Sequence, residues 1–153
     1  MRETMSSRPA TSQDGAKLAA IITAIMSDYG LKTAHEELHD LEDIERHYAG
    51  GHFEILEDNG TIAGCYGIYP LSAQVCELRR LYLSQNLRGR GLGRRLLEEA
   101  LQRALSLGFE RMELSTSPRL IEAIGLYRSH GFEPIEGQAG CSCCSLRFSR
   151  RLQ

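Results

Sequence analysis

Three glycines at alternate positions and four arginines share the eleven residues Leu87-Arg-Gly-Arg-Gly-Leu-Gly-Arg-Arg-Leu-Leu97. Glycine at every second residue weakens a helix. Yet from Gly91 onward Leu92, Leu96, Leu97, Ala100, Leu101, Ala104 and Leu105 recur at helical spacing until Gly108. A strand entering a helix through such a turn leaves the first helical N–H groups unpaired and outward-facing. Those donors, the helix dipole and the flanking arginines make an anion site. Glycine at 89, 91 and 93 lets a bulky polyphosphate approach the main chain. The spacing excludes the P-loop GxxxxGK[ST]. It also fails the dinucleotide fingerprint GxGxxG, because the glycines lie two apart. What remains is Arg88-x-x-Gly91-x-Gly93.

The rest of the chain supplies a mixed frame for this turn. Asp14 is positioned to cap a helix over about 15–29, with Leu18, Ile21, Ile22 and Ile25 on its apolar face and Gly30 at its end. The acidic stretch 34–48 has a helical pattern. FEILEDNGTIAGCYGIYP reads as two strands joined at Asn59-Gly60, and VCELRRLYL (75–83) as a third. A short strand follows at 111–116. Ser117-Pro118 then reads as an N-cap and first helical residue of a helix stopping at Gly131. Weaker strands near 132–135 and 142–148 finish the chain. The order predicts an α/β (α+β) fold with a central mixed sheet.

At 153 residues the chain suits one domain spanning 1–153, and 42% hydrophobic with 25% charged residues is the composition of a soluble globular protein. A net charge of −2 gives no case for nucleic-acid binding. The basic character is local, in Arg79, Arg80, Arg88, Arg90, Arg94 and Arg95. No apolar run reaches membrane-spanning length, and the opening MRETMSSRPATSQD lacks a leader core. A cytoplasmic protein off the membrane is expected, with its five cysteines reduced.

With its neighbours, the glycine turn resembles the GNAT superfamily of N-acetyltransferases. The family signature, [RQ]-x-x-G-x-[GA] between the fourth strand and third helix, cradles the pyrophosphate of acetyl-CoA. CELRRLYL resembles the family's fourth strand. AIGLYRSHGF (123–132) resembles its second motif, a helix bearing tyrosine and closing in Gly-Phe. RPATSQD (8–14) looks like its first strand leading into helix one. The resemblance implies a twisted, mostly antiparallel sheet of about six to seven strands flanked by about four helices. It also implies acetyl transfer from acetyl-CoA to a primary amine by direct attack in a ternary complex, with acetyl-CoA as co-substrate and no metal.

The resemblance also implies roles, position by position. Arg88, Gly89, Arg90, Gly91, Leu92, Gly93 and Arg94 surround the pyrophosphate. Main-chain N–H groups of Leu81, Tyr82 and Leu83 pair with the pantetheine arm and polarise the thioester oxygen. Glu77 is the candidate base that deprotonates the amine, directly or through water, with an ion pair to Arg79 as its alternative role. Tyr127 is the candidate proton donor to the departing sulfur, with core packing as its alternative. Many members carry asparagine where this chain has Leu120, so a cofactor contact is expected either to shift to Ser115 or Thr116 or to be missing. The acidic stretch 34–48 points to a cationic acceptor. Monomer and homodimer are both open.

Two other readings compete. His35-Glu-Glu-Leu-His39 matches the H-E-x-x-H of zinc hydrolases, whose histidines share one face only on an α-helix. Alternatively the domain binds acyl-CoA without turnover, as a sensor or scaffold; the retained Glu77 and Tyr127 argue against that. On a strand, Cys141 and Cys143 of CSCC (141–144) share one face and Cys144 turns to the other, so four ligands do not converge locally.

Overall fold

In the computed structural model, which describes residues 5–32, 35–136 and 146–153, Asn59 and Gly60 both take positive φ, 55° and 80°. That backbone is what a two-residue hairpin turn demands. It folds β2 (His52–Asp58) back on β3 (Thr61–Pro70). The edge strand β1 (Met5–Pro9) lies antiparallel on β2, and β4 (Val75–Leu83) continues the antiparallel run from β3. The chain then crosses over through α3 (Leu92–Ser106) to β5 (Arg111–Thr116), which pairs with β4 in parallel, the one parallel pairing among the described residues. After α4 (Ile121–Ser129) come β6 (Glu133–Ile135) and β7 (Leu146–Arg151), with β7 inserted between β5 and β6. The order is β1-β2-β3-β4-β5-β7-β6. This is the expected mixed sheet.

Two apolar clusters hold the faces. On one, Leu96, Leu97, Ala100, Leu101 and Ala104 of α3 and Tyr127 of α4 pack on Cys76, Leu78, Met112, Leu114 and Phe148. On the other, Leu18, Ile22, Ile25 and Met26 of α1 (Gly15–Asp28) and Ile44 of α2 (Ile44–His47) pack on Phe53, Ile55 and Cys65. Each fully buried leucine contributes about 1.5–3 kcal/mol by leaving water. Among the described residues no helix is long and apolar enough to cross a membrane.

Three local expectations are corrected. Asp14 holds the N-cap position of α1, but its side chain makes no cap hydrogen bond there. Its carboxylate instead accepts two bonds from Arg8, at 2.9 and 2.8 Å, and one from Thr11 N–H at 2.8 Å. Arg8 thereby holds the Asp14 carboxyl below the usual range. Ser117 and Pro118 form a turn, with Arg119 N–H donating to Ser117 Oγ at 3.2 Å, and α4 starts only at Ile121. The stretch 34–48 is broken: a 3-10 helix over His35–Leu41 precedes the single turn of α2. The H-E-x-x-H stretch thus lies on a 3-10 helix and not on the α-helix that the zinc motif calls for. The CSCC cysteines lie outside the described residues.

Leu97 is fully buried between α3 and the sheet. Leu97→Ala should cost about 2–5 kcal/mol, read as a lower urea midpoint at unchanged slope. A change within about 0.5 kcal/mol, typical of a surface site, would contradict this packing.

Candidate active site

β4 and β5 are paired for only three residues, Val75–Arg111, Cys76–Met112 and Glu77–Glu113. Beyond that point β4 keeps its bonds to β3 and β5 keeps its bonds to β7, but the two no longer bond each other. A slot therefore opens between residues 78–83 and 114–116. It exposes main-chain donors and acceptors that a continuous sheet would pair. Ser115 Oγ, on β5 beyond the last pair, is buried without a hydrogen-bond partner among the described residues. Thr116 beside it is buried at the strand's end.

The glycine turn stands at the mouth of the slot. Gly89 and Gly91 have φ of 79° and 77°, and an added Cβ at either would meet no atom within 4 Å. Backbone angle, not crowding, requires glycine at both, and the space before them is open. Gly91 is the N-cap of α3 and offers no side chain to the first N–H groups of that helix. Gly93 lies against α4, where an added Cβ would sit 3.8 Å from Leu126. Leu92 is buried with Ala63 and Leu87 and anchors the turn. Arg90 is exposed, and Arg94 pairs with Glu98 at 3.1 Å. Arg88 is tied back: its Nε donates to Leu83 O at 3.3 Å and its guanidinium lies 5.1 Å from the Tyr29 ring. Tyr29 in turn donates to Glu122 at 3.1 Å, so it links the end of α1 to the start of α4. Bare donors, a helix N-terminus and flanking arginines suit a diphosphate.

Alternation along β4 decides which face each side chain meets. Cys76 and Leu78 belong to the α3 side, so Glu77 and Arg79 face α1 and α2. There Glu77 Oε1 accepts from Arg79 Nε. Arg79 lies 3.9 Å over the Tyr69 ring and donates to His47 Nε2 at 3.2 Å. Arginine has no acceptor, so that nitrogen carries the lone pair and Nδ1 the proton. Burial, with Arg79 and Arg80 nearby, holds His47 below its ordinary value of 6.5 against the pull of Asp40. On β5, Glu113 is the register partner of Glu77 and accepts from Arg147 at 2.8 Å. Two glutamates and two arginines thus adjoin the last β4–β5 pair.

Tyr127 lies on the opposite face, buried in the α3-side cluster with its ring 5.7 Å from that of Phe132, edge to face. Leu81 and Leu83 pack on that same side, whereas Tyr82 and Leu120 pack with α1. Glu77 and Tyr127 thus lie on opposite faces of the sheet.

Sequence reasoning missed Tyr29, and it took Arg80 only as part of the local basic cluster and Asp40 only as one of the acids of 34–48 that point to a cationic acceptor. Arg80 has φ of 58° and occupies a bulge, since Cys65 pairs with Tyr82 but Gly67 pairs with Arg79. Such a conformation costs about 1–3 kcal/mol for a non-glycine residue. Asp40, 6% exposed, accepts from Arg80 at 2.7 and 3.1 Å and from Tyr48 at 2.6 Å. Burial works against the Asp40 carboxylate, but Arg80 and Tyr48 outweigh it and keep it ionised. The signal was present in the paired Arg79-Arg80, which breaks the strand's alternation. Much of the acidity of 34–48 is likewise structural. Asp40 meets Arg80, while Asp43 and Glu45 accept from Ser12 at 3.0 Å.

The acetyltransferase (GNAT) family model matches residues 18–132. The chain is 34% identical to the uncharacterized N-acetyltransferase YjgM of Escherichia coli (strain K12), over 95% of this chain and 93% of that protein. A GNAT-family acetyltransferase from Staphylococcus aureus Mu50 superposes with a TM-score of 0.90 at 21% identity, covering 97% of this chain and 99% of that one. A putative acetyltransferase from Salmonella typhimurium, solved with acetyl-CoA, superposes at 0.73 with 20% identity, covering 99% and 95%.

The depressed His47 ties stability to pH. The unfolded chain takes up the imidazole proton near pH 6.5 and the folded chain resists it, so this contribution is full above pH 6.5 and declines as pH falls toward the folded value. Urea unfolding at about pH 7.5 and about pH 5.5 should show a larger loss for the native protein than for His47→Gln. Equal losses would mean that His47 is not held neutral.

Proposed function

The chain belongs to the acetyltransferase (GNAT) family and is an acyltransferase, and from that premise we propose that it moves an acetyl group from acetyl-CoA to a primary amine by direct attack in a ternary complex. The observation that carries this reading is the slot. β4 and β5 part after Glu77 and Glu113, and at its mouth Gly89 and Gly91 leave the start of α3 uncapped. Acetyl-CoA, when bound, supplies an activated thioester.

This chain's residues do the rest. The main-chain N–H groups at the start of α3, with Arg88, Arg90 and Arg94, hold the diphosphate. Main chain 81–83 aligns the arm and offers donors to the developing oxyanion, and Ser115 Oγ and Thr116 line the facing strand. An amine reaches neutral pH mostly protonated, so attack needs a base. Glu77 takes that proton, directly or through a water, while Arg79 fixes its orientation through Oε1. From the other face Tyr127 gives a proton to the departing sulfur; a phenol with an ordinary pKa near 10 still holds it at neutral pH. The acceptor face carries both signs, and a cationic acceptor is recognised there through Glu77 and Glu113. The acids of 34–48 are mostly held by the fold. The protein works as one domain over residues 1–153, in the cytoplasm.

Free-thiol release from acetyl-CoA, followed across a panel of polyamines, amino sugars and amino acids, tests the reaction. With an accepted amine, Glu77→Gln should lower kcat by about 10²–10⁴, with the acetyl-CoA KM little changed. Tyr127→Phe should lower kcat without moving the Tm by more than about 4 °C. An unchanged kcat in Glu77→Gln contradicts its role as base, and no turnover with any amine contradicts the acetyltransferase reading.

A further inference from the structure

Beside the slot, β4 is bent at a single residue. Arg80 and Asn59 are the two non-glycine residues with positive φ among those described, and Asn59 belongs to a tight turn. Arg80 sits instead in the middle of a strand, as the extra residue of the bulge against β3. Arginine has no intrinsic preference for this backbone, so something must hold it. Four contacts do. Nη2 and Nε bond the two oxygens of Asp40 at 2.7 and 3.1 Å, and Nη2 also donates to the Glu37 carbonyl. The Arg80 carbonyl accepts from Cys65 Sγ–H at 3.0 Å. Tyr48 fixes Asp40 from behind at 2.6 Å. Asp40 and Tyr48 are buried, and the Arg80 side chain is 15% exposed.

The consequence lies in the next three residues. Strand side chains alternate with period two, so a bulge exchanges the faces of everything beyond it. With the bulge, Leu81 and Leu83 meet the α3-side cluster and Tyr82 meets the α1 side. If Arg80 returned to extended backbone, residues 81–83 would turn over and β4 would straighten toward β5, closing the slot.

We propose that Asp40 and Arg80 form a clamp that holds the β4 bulge open, making Asp40 a positioning residue for the main-chain donors of residues 81–83. The inference rests on the reading that this slot takes acyl-CoA. It joins the 3-10 helix His35–Leu41 and the cofactor slot into one mechanical unit, so the segment following α1 sets the geometry of the cofactor arm without touching the reacting atoms.

Calorimetric titration of CoA into purified full-length variants tests it, with thermal melts confirming that each is folded. Arg80→Gly and Arg80→Ala delete the same guanidinium and differ in one respect, that only glycine accepts positive φ freely. Ordinary strand preference favours alanine, whereas the clamp requires Arg80→Gly to bind CoA about fivefold tighter than Arg80→Ala, or more. Asp40→Asn, nearly isosteric, should weaken CoA binding about tenfold, and adding Arg80→Gly to it should recover most of that loss. Equal affinity of Arg80→Gly and Arg80→Ala overturns the clamp. So does an Asp40→Asn protein that binds CoA like the native chain. If Asp40→Asn does not fold, the two substitutions of Arg80 decide alone. Failure of the native protein to bind CoA overturns the acyl-CoA reading itself, a result distinct from loss in the variants.

Discussion

Parallel pairing between β4 and β5 ends after three residue pairs, and the proposed function depends on where it ends. A sheet that stayed closed there would satisfy its own amides and offer nothing to a ligand. By parting, the two strands leave main-chain groups facing a slot, and a buried hydroxyl at Ser115 without a partner among the described residues. Buried polar atoms are rarely left so unless something else supplies the bond. The sheet remains stable because each strand keeps its outer partner, β3 for β4 and β7 for β5. The two apolar clusters tie it to helices on both faces.

The slot also separates the two halves of the chemistry. Glu77 faces α1 and α2 among arginines, a tyrosine ring and a neutral histidine. Tyr127 faces the interior against Phe132. In the proposed reaction these two faces divide the work, a proton leaving the incoming nitrogen on the Glu77 side and another joining the leaving sulfur on the Tyr127 side. No single pocket need hold both groups.

Long-range order was legible where local signals and periodicity agreed. Asn59-Gly60 specified the hairpin, the spacing from Leu92 to Ala104 specified α3, and Gly89 and Gly91 of the Arg88–Gly93 turn specified its positive-φ backbone. Short side chains with several possible partners misled. Asp14 has the shape of a helix cap, but Arg8 on the neighbouring strand claims both its oxygens, and sequence distance does not reveal that competition. Ser117-Pro118 carries the chemistry of a helix start and becomes a turn. The stretch 34–48 shows helical spacing, yet Asp40 is drawn to Arg80 and the segment tightens into a 3-10 helix. Arg79-Arg80 was the one visible trace of the bulge. The parting of β4 from β5 came only through family resemblance, because main-chain pairing leaves almost no mark on side-chain identity.

The central claim is that uncapped main-chain donors at the start of α3 grip a diphosphate and so draw an acyl arm into the slot. The most direct measurement compares the affinity of the purified protein for CoA, for 4′-phosphopantetheine and for pantetheine, which lacks the diphosphate and the adenosine 3′-phosphate beyond it, by calorimetry in one buffer. Charge-assisted bonds of the kind invoked contribute about 1.5–3 kcal/mol each, so CoA should bind about a hundredfold tighter than pantetheine or more, with 4′-phosphopantetheine between them. Comparable affinities, or binding of none, would contradict the account.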